Sequence, residues 1–315
     1  MPVFNDWASA EELIRRLDEA FAPSSDSVAI ILADDGSTLE PPKEFGAGPH
    51  TKLSDISVLK LKKNLGHQRA LTVGLCYIAE KLPCDATLVM DGDGEDKPGD
   101  AIRLLEKMRQ LPQPTIVFAE RTRRSESFDF RLGYAIYKIL HYILTGLSIR
   151  VGNFSAVPAT LLPAITIDPM LWNHYAASVM RTRLPVETVP TERGKRIKDQ
   201  SRLNFVGLVV HGLSALACYG EIIGVRLIIV SGILLLMAVL GLGMLIGLKL
   251  FTPLAVPGWT SLLLCLIIVL ILQIATLVSN FTMQIISGRS AQPFLPARDY
   301  SWFVSSFKTL YKKAS

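Results

Sequence analysis

Between Ile222 and Arg298 the chain has no aspartate and no glutamate. Water-facing domains carry acids throughout their surface, so this stretch is excluded as an ordinary soluble domain. Cysteine is also scarce. The four, at positions 76, 84, 218 and 265, have no metal-ligand spacing and read as small apolar packers in a reducing compartment. The first residues lack a basic start followed by an apolar core, so no secretory leader is expected and the large domain should stay in the cytoplasm. There is no internal repeat and no low-complexity tract.

What the chain does have is apolar mass in one place. Half of its 315 residues are hydrophobic, and its mean hydropathy is +0.34. The acid-free stretch holds two apolar runs, near 225–248 and 260–284, each longer than the roughly 20 residues a helix needs to cross a bilayer. The formal net charge is +5. Arg193, Lys195, Arg196, Lys198 and Arg202 precede the first run, and Arg289, Arg298, Lys308, Lys312 and Lys313 follow the second. Charge bias of this kind puts both flanks in the cytoplasm and the short connecting loop outside. Basic residues beside a span also attract anionic headgroups, so nucleic acid is not the expected partner. The resulting division is a cytoplasmic domain over 1–190, a basic juxtamembrane loop and interfacial helix over 191–221, a hairpin over 222–286, and a basic cytoplasmic tail over 287–315.

Within the first 190 residues, short apolar runs alternate with helical periodicity. Strands are expected near 28–33, 57–61, 86–90 and 115–119, with helices near 7–21, 68–82, 98–110 and 131–145. That order predicts an α/β fold, a mostly parallel sheet with helices on both faces.

Residues 90–98 read MDGDGEDKP and follow the apolar run 86–90. A strand that stops in alternating carboxylates presents Asp91 and Asp93 at the sheet edge where ligands of open α/β sheets bind. Oxygen ligands suit a hard divalent cation, which can clamp a diphosphate; the plain alternative is a solvated acidic loop. Asp34 and Asp35 end an earlier strand. A carboxylate there can accept an N–H of uracil or guanine, or simply close an Asx turn. Arg121, Arg123, Arg124 and Arg131 surround Ser125-Glu126-Ser127, and guanidinium forks match phosphate geometry. They also suit local pairing in a surface loop. The basic segment with Arg193, Lys195, Ser201 and Arg202 reads equally as a contact for a lipid phosphate or as an anionic-lipid anchor. His67 reads as a helix-start residue, and His211 as structural or interfacial.

Pro2-Val3-Phe4-Asn5-Asp6, ADDGS (33–37), NLGHQRAL (64–71), MDGDGEDKP (90–98) and ERTRRSES (120–127) occur in the order found in family 2 glycosyltransferases. RGKRIKDQSRLNF (193–205), HGLSAL (211–216) and the two-run tail resemble the polyprenyl-phosphate sugar transferases of that family. The resemblance implies a GT-A type domain of the nucleotide-diphospho-sugar transferases. Its activity would be inverting transfer of one sugar from a UDP- or GDP-sugar to a polyprenyl phosphate such as undecaprenyl phosphate. It implies Pro2, Asn5, Asp34, Asp35, Asp91 and Arg121 at the nucleotide sugar, and Asp91, Asp93 and Glu95 around Mg²⁺ or Mn²⁺. It further implies Asp93, Arg131 and Asn153 at the chemistry, and Arg123, Arg131, Arg193, Lys195, Ser201 and Arg202 at the acceptor phosphate or its gate. A homo-oligomer is compatible with it. The chain departs from the pattern in three places. Asn153 stands where many relatives carry an aspartate base, Glu95-Asp96 replace a Gln-His or Gln-Asp pair, and the first strand is short. A phosphate acceptor, already anionic near neutrality, needs orientation more than deprotonation. Two other readings stay open: a transferase for another lipid or lipid-linked glycan, and a non-catalytic membrane scaffold beside a sugar-lipid flippase.

Overall fold

The computed structural model describes residues 1–121, 138–147, 151–197, 205–252, 258–290 and 294–313. They form two compact units. The first draws on Met1–Lys138, Ser148–Cys218 and Phe294–Ser315, and the second on Ile139–Leu147 and Tyr219–Pro293.

In the first unit the strands are β1 (Pro2–Val3), β2 (Val28–Asp34), β3 (Leu53–Leu61), β4 (Ala86–Val89), β5 (Ile116–Arg121), β6 (Val151–Pro158), β7 (Val186–Thr191) and β8 (Val304–Lys312). They make two four-stranded sheets, in the orders β1-β2-β3-β8 and β4-β6-β5-β7. Three strands of each sheet run one way and one runs against them: β8 in the first sheet, β6 in the second. The fold is therefore α/β with mostly parallel strands, and the reversed pair gives it a mixed character.

Helix α1 (Trp7–Phe21) forms because Trp7, Ala10, Leu13, Ile14, Leu17 and Phe21 recur at three- and four-residue steps and bury as one stripe. Helix α2 (His67–Lys81) starts directly after Gly66, whose φ of +92° a side chain would not tolerate. Helix α3 (Pro98–Gln110) has proline in its first turn with Asp100, and Lys107 and Arg109 in its last, matching the helix dipole. One core cluster joins residues of both sheets, among them Ile30, Ile56, Met90, Val117 and Phe154.

The fold departs from the sequence expectations at several elements, β6 and β7 among them. β3 begins at Leu53, ahead of the strand expected near 57–61, because Asp18 of α1 accepts hydrogen bonds from the backbone N–H groups of Thr51, Lys52 and Leu53. Of the helix expected near 131–145, residues 138–145 are helical and the rest lies outside the described residues. The expected basic tail contains β8, which pairs antiparallel with β3 from Asp55↔Lys312 to Leu61↔Val304. Lysines suit an edge strand, and Lys308 and Lys312 disguised it as tail.

The second unit contains two long helices, Gly220–Phe251 and Trp259–Ser290, of 32 residues each. At 1.5 Å per residue each is about 48 Å long, more than the ~30 Å hydrocarbon core demands. Both are long and apolar enough to cross a membrane. The Arg226 guanidinium, near the start of the first, donates to the Ile143 carbonyl at 2.8 Å.

Candidate active site

The N-terminal side of the site is built around the end of β2. Pro2 and Val3 pair with Ala33 and Asp34. Asn5 then takes φ +51°, a conformation asparagine tolerates better than most residues. Its side-chain oxygen accepts from the N–H groups of Thr38 and Leu39 at 3.0 and 2.9 Å, tying the chain start to the 34–39 loop. Asp34 is buried and its Oδ1 accepts from the Ser37 N–H at 2.8 Å. Asp35 spends both oxygens on the N–H groups of Leu65 and Gly66, at 2.6 and 2.9 Å. Burial pushes the Asp35 carboxyl above the usual carboxylate range, against the pull of those two N–H groups. Asp35 is thus a clamp on the turn that launches α2 at His67. Gly36 makes this possible: at φ +69°, a Cβ there would lie 2.5 Å from the Lys63 carbonyl carbon.

The acidic side follows β4. The Asp91 N–H donates to Asp96 Oδ2 at 2.9 Å, and the Glu95 N–H donates to Asp93 Oδ1 at 3.0 Å, so the loop 91–96 is closed by its own carboxylates. A Cβ on Gly92 would stand 3.0 Å from the Pro2 carbonyl, which places this loop against β1. Asp93 is pushed above the usual carboxylate range, first by burial and then by the charges of Glu95 and Asp91, against the pull of the Glu95 N–H and, more weakly, of Arg196.

The segment after β7 closes over this loop. Gly194 donates its N–H to the Glu95 carbonyl at 2.8 Å, and Ile197 donates to the Asp93 carbonyl at 3.0 Å. A Cβ on Gly194 would come to 3.0 Å from two of the loop's carbonyls, and one on Gly94 to 2.7 Å from the Ile197 side chain. The fit requires glycine on both partners. Arg193 donates to Glu95 Oε2 at 2.6 Å, and Arg196 donates to Glu95 Oε1 at 2.6 Å while lying 3.3 Å from Asp93 Oδ2. The Glu95 carboxylate, expected beside the metal, is held by two arginines. Among the described residues no three His, Cys, Asp or Glu side chains gather as a metal site.

Strand β6 completes the arrangement. It pairs with β4 from Ala86↔Pro158 to Val89↔Ser155, and the same register carried two residues further sets Asn153 opposite Asp91. The Asn153 amide nitrogen lies 3.0 Å from His67 Nε2 and 3.4 Å from Asp91 Oδ1. His67 Nε2 is itself 3.1 Å from Asp91 Oδ1. Burial works against protonation of His67, yet the Asp91 charge and hydrogen bond outweigh it and raise its pKa above the ordinary value.

The structure therefore brings Pro2, Asn5, Asp34 and Asp35 together along one loop, and gathers Asp91, Asp93, Glu95, Asn153 and Arg193 around another. Arg121 ends β5 in register with Thr191, two residues before Arg193. Lys195 lies on the covering segment with its residue exposed. Arg123, Arg124, Arg131, Lys198, Ser201 and Arg202 lie outside the described residues. Sequence reasoning treated His67 as a helix-start residue, and left Gln68 and the carboxylate contacts of Arg196 unread. A β6 strand in the 150s, with its pairing to β4, is the signal that would have placed Asn153 beside Asp91.

Residues 1–160 match the sequence pattern described as Glycosyl transferase family 2. A Bacillus subtilis (strain 168) protein named "Uncharacterized glycosyltransferase YkcC" is 27% identical over 281 residues, covering 84% of this chain and 80% of its own. An undecaprenyl-phosphate 4-deoxy-4-formamido-L-arabinose transferase of Erwinia tasmaniensis is 30% identical over 110 residues, 35% of this chain and 33% of its own length. The transferase of the same name from Enterobacter sp. (strain 638) is 24% identical over 215 residues, 66% of this chain and 63% of its own. With half its length in the family match, and strand-end carboxylates at the centre of its α/β unit, the chain belongs to glycosyl transferase family 2 and is a glycosyltransferase.

Proposed function

We propose that this glycosyltransferase moves a single sugar from a UDP- or GDP-sugar to a polyprenyl phosphate, undecaprenyl phosphate in the first instance, with inversion. One observation carries the reading. The Asp91–Asp93 loop lies under a segment bearing Arg193, Lys195 and Arg196, and that segment runs on in sequence to two helices able to cross a membrane. A donor diphosphate needs carboxylates that hold a cation, and a lipid phosphate needs basic charge beside a bilayer. The names of the Erwinia and Enterobacter relatives point to the same acceptor.

The donor set fits a hard divalent ion. Asp91 and Asp93 offer carboxylate oxygens, and Arg196 beside Asp93 and Glu95 marks a place where positive charge is already favoured. Asp91 and Asp93 would hold Mg²⁺ or Mn²⁺, with water and diphosphate oxygens completing the shell. When bound, the ion neutralises charge on the departing nucleoside diphosphate. Asp34 accepts an N–H of the base, Asn5 keeps the 34–39 loop in place, and Asp35 sets the start of α2. Arg121, Arg123 and Arg131, with Arg193 and Lys195, supply guanidinium and ammonium charge to the two phosphate groups. Ser201 and Arg202, which follow in the sequence, would add their hydroxyl and guanidinium to the acceptor phosphate. Asn153 orients the reacting groups without taking a proton, which suits an acceptor that is already anionic. The catalytic unit and both termini lie on the cytoplasmic side, following the basic flanks.

The test is sugar transfer from a panel of UDP- and GDP-sugars to undecaprenyl phosphate in detergent, with Mg²⁺ or Mn²⁺, for wild type and Asp93→Asn. Metal-dependent product from wild type, reduced at least about 100-fold in the variant, is expected. Product formed equally well in EDTA, or by the variant, would overturn the metal assignment. Transfer to other lipids but never to a polyprenyl phosphate would overturn the acceptor.

A further inference from the structure

We propose that Gln68 is a positioning residue: it fixes which end of the Asn153 amide faces Asp91 and His67. The inference rests on the reading of Asp91 as part of the donor site, and on nothing else in the proposed reaction.

The direction of the network starts from a group that has only one role. The backbone N–H of Tyr175, at the start of the helix Tyr175–Arg181, donates to Gln68 Oε1 at 2.8 Å. A backbone N–H cannot accept, so the Gln68 oxygen must point toward Tyr175. Its NH₂ group is then turned the other way, where it donates to Asn153 Oδ1 at 3.1 Å. That bond in turn commits the Asn153 oxygen, leaving the Asn153 NH₂ toward His67 Nε2 and Asp91 Oδ1. Amide ends are interchangeable in shape but opposite in hydrogen bonding, and here a single main-chain donor settles both. Gln68 and Asn153 are each 9% exposed, so water competes poorly for either amide. Tyr175 is itself fixed: it is fully buried, with its hydroxyl 2.7 Å from the Ser155 hydroxyl, two residues along β6 from Asn153.

The consequence concerns charge. Reversed, the Asn153 amide would direct its oxygen at the Asp91 carboxylate, placing two acceptors face to face. In the observed sense it offers Asp91 a donor, which steadies the ionised carboxylate in the position from which it meets the donor sugar or its ion. Gln68 touches neither; it acts through Asn153.

A double-mutant cycle separates this role from simple core packing. Gln68→Met removes both bonds at nearly constant volume. Gln68→Glu keeps an acceptor for the Tyr175 N–H while its ionised form donates nothing to Asn153, and it stands in if the methionine variant fails to fold. Either is expected to lower kcat about 10-fold with KM for the nucleotide sugar within about twofold. In an Asn153→Ala background the same substitution should change kcat less than about twofold. An equal loss in both backgrounds, or wild-type kcat in folded Gln68→Glu, would overturn the proposal. The cycle is read both on lipid transfer and on metal-dependent hydrolysis of the donor. Coupling seen in hydrolysis supports the Gln68 role even where polyprenyl phosphate proves not to be the acceptor.

Discussion

Replacing Glu95 by glutamine tests how the basic segment is held over the acidic loop. Glu95 is 9% exposed and receives Arg193 on one oxygen and Arg196 on the other. Glutamine keeps one acceptor, turns an NH₂ group at the second arginine, and removes the charge. A hydrogen bond to a charged group contributes ~1.5–3 kcal/mol. The arginines are 33% and 23% exposed, so solvent discounts that figure toward the surface-pair range. A local loss of about 1–2 kcal/mol remains. Two amides report on it directly, because Gly194 and Ile197 donate to the carbonyls of Glu95 and Asp93. With a factor of ten for each 1.4 kcal/mol, their hydrogen exchange should accelerate roughly 5- to 30-fold. Amides in β2 and β3 should be unaffected. Unchanged exchange at Gly194 and Ile197, with global stability intact, would refute the claim that these ion pairs hold the segment down.

Two further outcomes follow from buried carboxylates of opposite character. Burial pushes the Asp18 carboxyl up, but the bonds from Thr51, Lys52 and Leu53 outweigh it and its pKa lies below the usual range. Its stabilisation is therefore present at neutral pH and lost as pH falls below about 4; Asp18→Asn should cost ~2–4 kcal/mol at pH 7 and flatten that acid limb in thermal unfolding. Asp93 has the reverse sign, since its pKa is raised and its ionisation works against folding as pH rises. Asp93→Asn should thus unfold at a higher temperature than wild type at pH 7 while losing transfer, and a lower midpoint would contradict the reading.

How much of this was readable from the sequence differs by element. Helix α1 was, because its apolar stripe is regular from Trp7 to Phe21. The place of Asp91 and Asp93 just beyond a strand was, because an apolar run ended in them. Strands β6 and β7 were not expected, since VGNFSAVP and VETVPT mix polar and proline residues with no clean alternation. Their existence depends on partners more than 30 residues away in the chain. The hydrogen bonds that Asp35 accepts from Leu65 and Gly66 were hidden, because no local pattern reveals a partner thirty residues on. The two arginines that hold Glu95 were hidden for the same reason, since they come from a distant segment. Gln68 carried no signal, because a glutamine near a helix start is unremarkable until the Tyr175 N–H is beside it.

The pairing of β8 with β3 has a consequence for biosynthesis. Leu53–Leu61 emerges from the ribosome early, but its antiparallel neighbour Val304–Lys312 is made only much later. Both long apolar helices are translated in between. Throughout that interval the outer edge of β3 has its backbone donors and acceptors unpaired, the state in which sheets recruit foreign strands. Closure of this sheet therefore waits until both of these helices have been made.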